Sequence, residues 1–202
     1  MIRAVIWDMS GVLIEETVPP SRTTWEDRLG LSDGELTRMV FWHPLAVDLA
    51  QGRADPSELW RHLELDLGLS EGHLENLSHD FWGDPLWRPD VLAYVDLLKG
   101  CRKQAVLSDA WINTRATVTA QINLERFDLI MFSAEEGLKK PDSRIFRRAV
   151  DRLSVSPQEV IFVDDRLANV EGALRVGMKA IEFTGFADAR RRIDDLIALE
   201  EG

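Results

Sequence analysis

Short, unbroken apolar runs recur along the chain, each closed by polar or small residues: AVIWD at 4–8, QAVLSD at 104–109, DLIMFS at 128–133, VIFVDD at 160–165 and KAIEF at 179–183. Apolar positions that run on, rather than alternate, predict strands buried on both faces, as in a parallel sheet covered by helices. The intervening segments have helical spacing. PDSRIFRRAVDRL places apolar residues at 145, 146, 149, 150 and 153, one face of a helix entered after Pro141. RLANVEGALRVGM reads as another helix, with Gly177 as its C-terminal stop.

Between Asp8 and about residue 88 the alternation lapses. No strong strand run occurs there, whereas PSELWRHLELDLG and EGHLENLSHDFW read as helices. The stretch is predicted to be an inserted helical unit. Five of the seven tryptophans (Trp25, Trp42, Trp60, Trp82 and Trp87) lie in it, enough large apolar surface for a small core of its own. Pro85 and Pro89 mark the expected return hinge.

Composition narrows the functional classes. A chain of 202 residues, 45% hydrophobic, suffices for one good core and a smaller accessory unit. Its formal net charge of −11 disfavours nucleic acid and anionic membrane as partners, because both are held by basic surface. Cys101 is the single cysteine, so no intrachain disulfide forms, and a cytoplasmic setting is expected. No apolar run has the length of a signal-peptide core or of a membrane span.

In an open parallel sheet, ligands bind beyond the carboxyl ends of the strands. Asp8, Ser108 with Asp109, Lys139 with Lys140, and Asp164 with Asp165 all follow strand ends. Singly, such residues are more often caps, turn formers or solvated side chains. Together they make a phosphoryl-transfer set. Asp8 can attack as a carboxylate. Asp164, reinforced by Asp165, offers hard oxygen ligands for magnesium. Lysine and the Ser108 hydroxyl would hold phosphate oxygens and neutralise charge in the transition state.

The motifs WDMSGVL, VLSDA, GLKKPDSRIF and VIFVDDRLANVEGALRVGM resemble, in order and across nearly the whole chain, those of the haloacid dehalogenase-like (HAD) hydrolases. GRADPSELWRHL is similar to a cap segment of the branch that includes the epoxide-hydrolase phosphatase domain and sugar-phosphate phosphatases. The resemblance implies an α/β fold: a Rossmann-like HAD core with a parallel central sheet, residues 1–14 and 89–202, plus an inserted α-helical cap, residues 15–88. It makes Asp8 the nucleophile and first metal ligand, the Ser10 carbonyl the second and Asp164 the third. Asp165 would orient metal-bound water, Ser108 would bind the phosphoryl group, and Lys140, rather than Lys139, would contact phosphate and Asp8. Asp109 stands where many relatives carry Asn, a substrate-side difference.

One position departs from the pattern. Family phosphatases carry an Asp two residues after the nucleophile, as general acid and then base; here it is Ser10. A hydroxyl is far too weak an acid and base near neutral pH, and losing such a group typically costs about 10²–10⁴ in rate. The expectation is a magnesium-dependent phosphatase on a small phosphorylated metabolite whose site persists while turnover is reduced. The alternatives are a phosphate-binding scaffold without catalysis and a 2-haloacid dehalogenase, whose halide needs no acid but whose enzymes lack the Asp-Asp metal loop. Receiver domains also combine aspartates with a lysine, but they lack an 80-residue insertion. An exposed cap tryptophan would serve a homodimer contact as readily as a substrate.

Overall fold

A computed structural model describes residues 1–69 and 73–201. Five parallel strands, β1 (Ala4–Trp7), β2 (Lys103–Ser108), β3 (Leu129–Phe132), β4 (Val160–Asp164) and β5 (Lys179–Glu182), form one sheet in the order β3-β2-β1-β4-β5. Each strand lies within one residue of its predicted bounds. Asp8, Asp109, Ser133 and Asp165 fall just past the strand ends, where the chain leaves the ladder and frees its side chains.

The sheet is buried on both faces because its side chains alternate between two clusters. Val5, Trp7, Val106, Ile161 and Val163 join one, with residues of α6 (Pro89–Lys99) and α11 (Phe186–Glu201). Ala4, Ile6, Leu107, Val160 and Phe162 join the other, with α9 (Ser143–Leu153) and α10 (Leu167–Arg175), while the short helices α7 (Thr114–Thr119) and α8 (Ser133–Glu136) follow β2 and β3. The five apolar positions read from the α9 segment, 145, 146, 149, 150 and 153, are all buried there. The Asp142 side chain caps α9 by accepting from the Arg144 amide. Gly177 follows the end of α10 at φ +92°, as expected of a glycine past a helix terminus. Gln104, a polar residue within β2, is fully buried but accepts a hydrogen bond from the Trp7 indole at 2.9 Å, which offsets its desolvation.

Among the described residues, five helices lie between β1 and α6: α1 (Pro20–Leu29), α2 (Glu35–Phe41), α3 (Ala46–Ala50), α4 (Pro56–Asp66) and α5 (His73–Trp82). Residues 71–72 of the second predicted helix lie outside the described residues. The α4 start has a complete capping box, Asp55 with Glu58. Two linkers run antiparallel at the base of this unit, the Glu15 amide donating to the Leu86 carbonyl (2.8 Å) and the Arg88 amide to the Leu13 carbonyl (2.9 Å). Pro89 opens α6.

The tryptophans divide differently from the sequence expectation. Trp25 and Trp60 are buried in the helical unit's own cluster with Leu36, Leu59 and Phe81. Trp87 instead packs against the sheet cluster, because the returning linker is already paired to the core at Ile14. Trp42 is 78% and Trp82 44% exposed. Trp111, from the loop after β2, packs against the helical cluster. No described helix is long and apolar enough to cross a membrane.

Candidate active site

The strand order reverses between β1 and β4, since the chain proceeds outward to β2 and β3 on one side and to β5 on the other. Such a switch point leaves a crevice at the carboxyl edge. Trp7 pairs with both Val106 and Val163, so Asp8 stands between the ends of β2 and β4, beside Asp164 and one residue short of Ser108. The Asp8 amide donates to the Val163 carbonyl at 2.8 Å, fixing the start of the loop. The amides of Val12, Leu13 and Ile14 then all donate to the Met9 carbonyl, which folds residues 9–14 into a tight turn. Gly11 makes the turn possible. It has φ +80°, and a Cβ there would stand 2.4 Å from Asp165 Oδ2, so only glycine admits the carboxylate.

Lys140 is the centre of the arrangement. Its Nζ donates to Asp8 Oδ1 at 2.8 Å and to Asp164 Oδ2 at 2.6 Å, and all three side chains are almost completely buried. Burial opposes the ammonium, but Asp8, Asp164 and Asp109 outweigh it and hold the Lys140 pKa above the usual lysine value. Burial pushes the Asp8 carboxyl up to about 7, against the pull of Lys140 and with the push of Asp164. Asp165 is likewise raised by its burial, and further by Asp164 and Glu16. Oxygens of Asp8, Asp164 and Asp165 lie within 4.8 Å of one another.

Three carboxylates and one ammonium make a net negative cluster of hard oxygen donors. That donor set fits a divalent cation such as magnesium.

The remaining sequence-selected residues are placed as follows. Ser108 ends β2 and is 1% exposed. Lys139 is only half-buried, and Lys140 alone of the two reaches the carboxylates. Ser10 is exposed in the turn that follows Asp8. Asp109 accepts the Lys140 main-chain amide at 2.9 Å, so it holds the lysine loop against the β2 loop. Burial raises its pKa, opposed by Lys140.

Two supporting residues were not selected from the sequence. Asn169, buried on α10, donates through Nδ2 to both oxygens of Asp164 at 3.0 and 3.1 Å, and the Arg166 amide adds a bond at 2.9 Å. These bonds orient Asp164 toward Lys140. The signal was available: Asn169 is the one polar residue on the buried face of α10, a full helical turn beyond the acidic pair. Ser133 is fully buried, its hydroxyl accepting from the Ala110 amide (2.9 Å) and donating to the Ala110 carbonyl (3.2 Å). It ties the β3 end to the loop that carries Asp109.

Close packing behind Lys140 gives a testable constraint. A Cβ on Gly172 of α10 would meet Phe146 Cε2 and Pro141 Cβ at 2.9 Å, and the Pro141 carbonyl oxygen at 3.1 Å. Overpacking of this kind typically costs about 1–3 kcal/mol. Gly172→Ala should therefore lower the denaturant midpoint at unchanged slope. An unaltered midpoint would mean that Pro141 and Phe146 yield freely and do not clamp the lysine.

Sequence comparisons agree with this geometry. A family model described as haloacid dehalogenase-like hydrolase matches residues 2–177. A sesquiterpene phosphatase of Aspergillus oryzae is 28% identical over 192 residues, covering 90% of this chain and 90% of that protein. A glyceraldehyde 3-phosphate phosphatase of Pyrococcus furiosus is 45% identical over 58 residues, 28% of this chain and 24% of that protein. A HAD family enzyme of Bacteroides thetaiotaomicron, solved with magnesium and inorganic phosphate, superposes with a TM-score of 0.77 at 16% identity, over 90% of this chain and 93% of that one. At that identity the likeness is one of fold. The family match spans every motif that converges on the switch point, and the chain belongs to the haloacid dehalogenase-like hydrolases.

Proposed function

We propose that the protein is a magnesium-dependent phosphatase acting on a small phosphorylated molecule through an aspartyl-phosphate at Asp8. The observation that carries this reading is the buried Lys140 ammonium bridging Asp8 and Asp164 at the crevice of the sheet. The phosphatase activities named for two relatives and the magnesium and phosphate bound by a structural neighbour support it. The acidic balance of the chain speaks against nucleic acid as the substrate.

Asp8, Asp164 and Asp165, with the main-chain carbonyl of Ser10, would hold the magnesium ion, which when bound supplies positive charge against the phosphate oxygens. Asp8 Oδ1 is engaged by the Met9 amide at 2.7 Å and by Lys140, so Oδ2 attacks phosphorus. The bond from phosphorus to the leaving oxygen breaks as the Asp8–phosphorus bond forms. Lys140 and the Ser108 hydroxyl hold the phosphoryl oxygens, whose charge they neutralise. The leaving oxygen takes its proton from solvent, since Ser10 has none of suitable acidity to give. Water then attacks phosphorus, releasing phosphate and regenerating the Asp8 carboxylate.

Without a base at position 10 the second step is slow relative to the first, and the phosphoenzyme accumulates. The test is intact-mass analysis of acid-quenched protein after mixing with p-nitrophenyl phosphate and magnesium, beside phosphate release. Wild type is expected to gain the mass of one phosphoryl group and to release phosphate slowly, both lost on chelation. Asp8→Asn is expected to do neither. Activity that survives Asp8→Asn would show the nucleophile to be wrong. Phosphate binding without any release or phosphoenzyme would favour a scaffold. Chloride release from a 2-haloacid without magnesium would favour a dehalogenase, whose leaving halide needs no acid.

A further inference from the structure

We propose that the leaving-group side of the site is an aromatic subsite for an uncharged hydrocarbon chain, so that the substrate is the monophosphate of an apolar alcohol. The inference rests on the phosphoryl site proposed above and adds what lies next to it. Trp111 follows Ser108 by three residues, on the loop that leaves β2. Three residues span at most about 3.6 Å each, which keeps the Trp111 Cα within about 11 Å of that of Ser108. Its indole reaches across to the helical unit, 5.0 Å from Trp82 and 6.3 Å from Trp60 between ring centroids.

The rings do not close into a sealed core. Trp82 and Trp111 meet edge to face at 89°. Trp82 is 44% exposed, Phe41, 5.8 Å from it, is 46% exposed, and Ile112, next to Trp111, is 47% exposed. Part-exposed apolar side chains on the loop that follows Ser108, and on the rings packed against that loop, have the character of a ligand subsite, with few polar groups to orient and aromatic surface to bind.

The charge of the helical unit disfavours anionic leaving groups. Residues 15–88 contain fifteen Asp and Glu against six Arg and no Lys, which places −9 of the chain's −11 on the helical unit. A unit of that net charge disfavours a second phosphate or a carboxylate on the substrate. Among groups without negative charge, the part-exposed aromatic and aliphatic side chains of Trp82, Phe41 and Ile112 favour an apolar one.

The unit is also seated where it can enclose such a group. Gly52, between α3 and α4, approaches the core so closely that a Cβ there would stand 2.1 Å from the Ala134 carbonyl oxygen. The Ala134 amide in turn donates to the Ala110 carbonyl at 3.3 Å, one residue before Trp111. Helical unit, lysine segment and Trp111 loop therefore converge at one edge of the crevice.

The test is binding of octylphosphonate and methylphosphonate to the magnesium-loaded protein by calorimetry, which needs no turnover. Octylphosphonate is expected to bind at least tenfold more tightly than methylphosphonate. Trp82→Ala should reduce that ratio at least fivefold, and Trp82→Phe should restore most of it. Equal affinities in wild type would overturn the subsite, as would a Trp82→Ala variant that weakens both ligands by the same factor, the result of lost packing alone. If octylphosphonate is preferred but octyl phosphate is never hydrolysed, the subsite stands and the reaction proposed above falls. If esters are hydrolysed without preference for octyl over methyl phosphate, the reaction stands and the subsite falls.

Discussion

Ser10→Asp is expected to raise steady-state turnover of a phosphate monoester by about 10²–10⁴-fold, the usual contribution of a positioned general acid and base. The position is favourable for the exchange. Ser10 is exposed, so a carboxylate there keeps most of its solvation, and the turn is held by main-chain bonds to Met9 that the substitution leaves intact. Gly11 lies directly against Asp165, so the new group enters a field already negative from Asp8, Asp164 and Asp165. Like charges favour the protonated form of a carboxyl, which suits a group that must first donate a proton. The gain should coincide with disappearance of the accumulated phosphoenzyme, because the same group then activates water. Steady-state phosphate release and intact mass together check it. A variant that folds and binds phosphate yet turns over no faster would mean that another group already supplies the proton.

Lys140→Met is expected to lose turnover to background and to destabilise the fold by about 3–5 kcal/mol, the range for removing one partner of a buried ion pair. Asp8 and Asp164 are 5% and 0% exposed, and with the ammonium gone they face each other without a cation inside the protein. Methionine fills the stem's volume, so the loss isolates charge rather than packing. Two further measurements separate this cause from general damage. Magnesium should recover part of the lost stability, since by the proposed function a bound cation would stand among the same carboxylates. Asp8→Asn should cost less in the Lys140→Met background than alone, a coupling that chemical denaturation of the four proteins measures. Additive losses would show that the lysine and the aspartate act independently.

These two positions illustrate different kinds of legibility. Ser10 is conspicuous in the sequence because it interrupts a familiar spacing, and its consequence is chemical and local. Lys140 is one of two adjacent lysines, and nothing in the order of residues separates it from Lys139 except a motif. Burial separates them: one side chain is sealed against two carboxylates while its neighbour remains half-exposed. Asp109, placed on the substrate side by its motif, also accepts the Lys140 amide and so joins two loops 31 residues apart in sequence.

The amino-acid sequence by itself determined the five strands, the α9 face and the edge at which the polar residues gather. Continuous apolar runs and helical periodicity record burial one residue at a time, without reference to a partner. Only the tertiary structure decided the pairings: Ser133 on Ala110, Trp87 with the sheet rather than the helices, and Trp111 with the helices rather than the sheet. Each depends on where two distant segments meet, and a side chain's contacts follow from the packing of both, which local pattern does not carry.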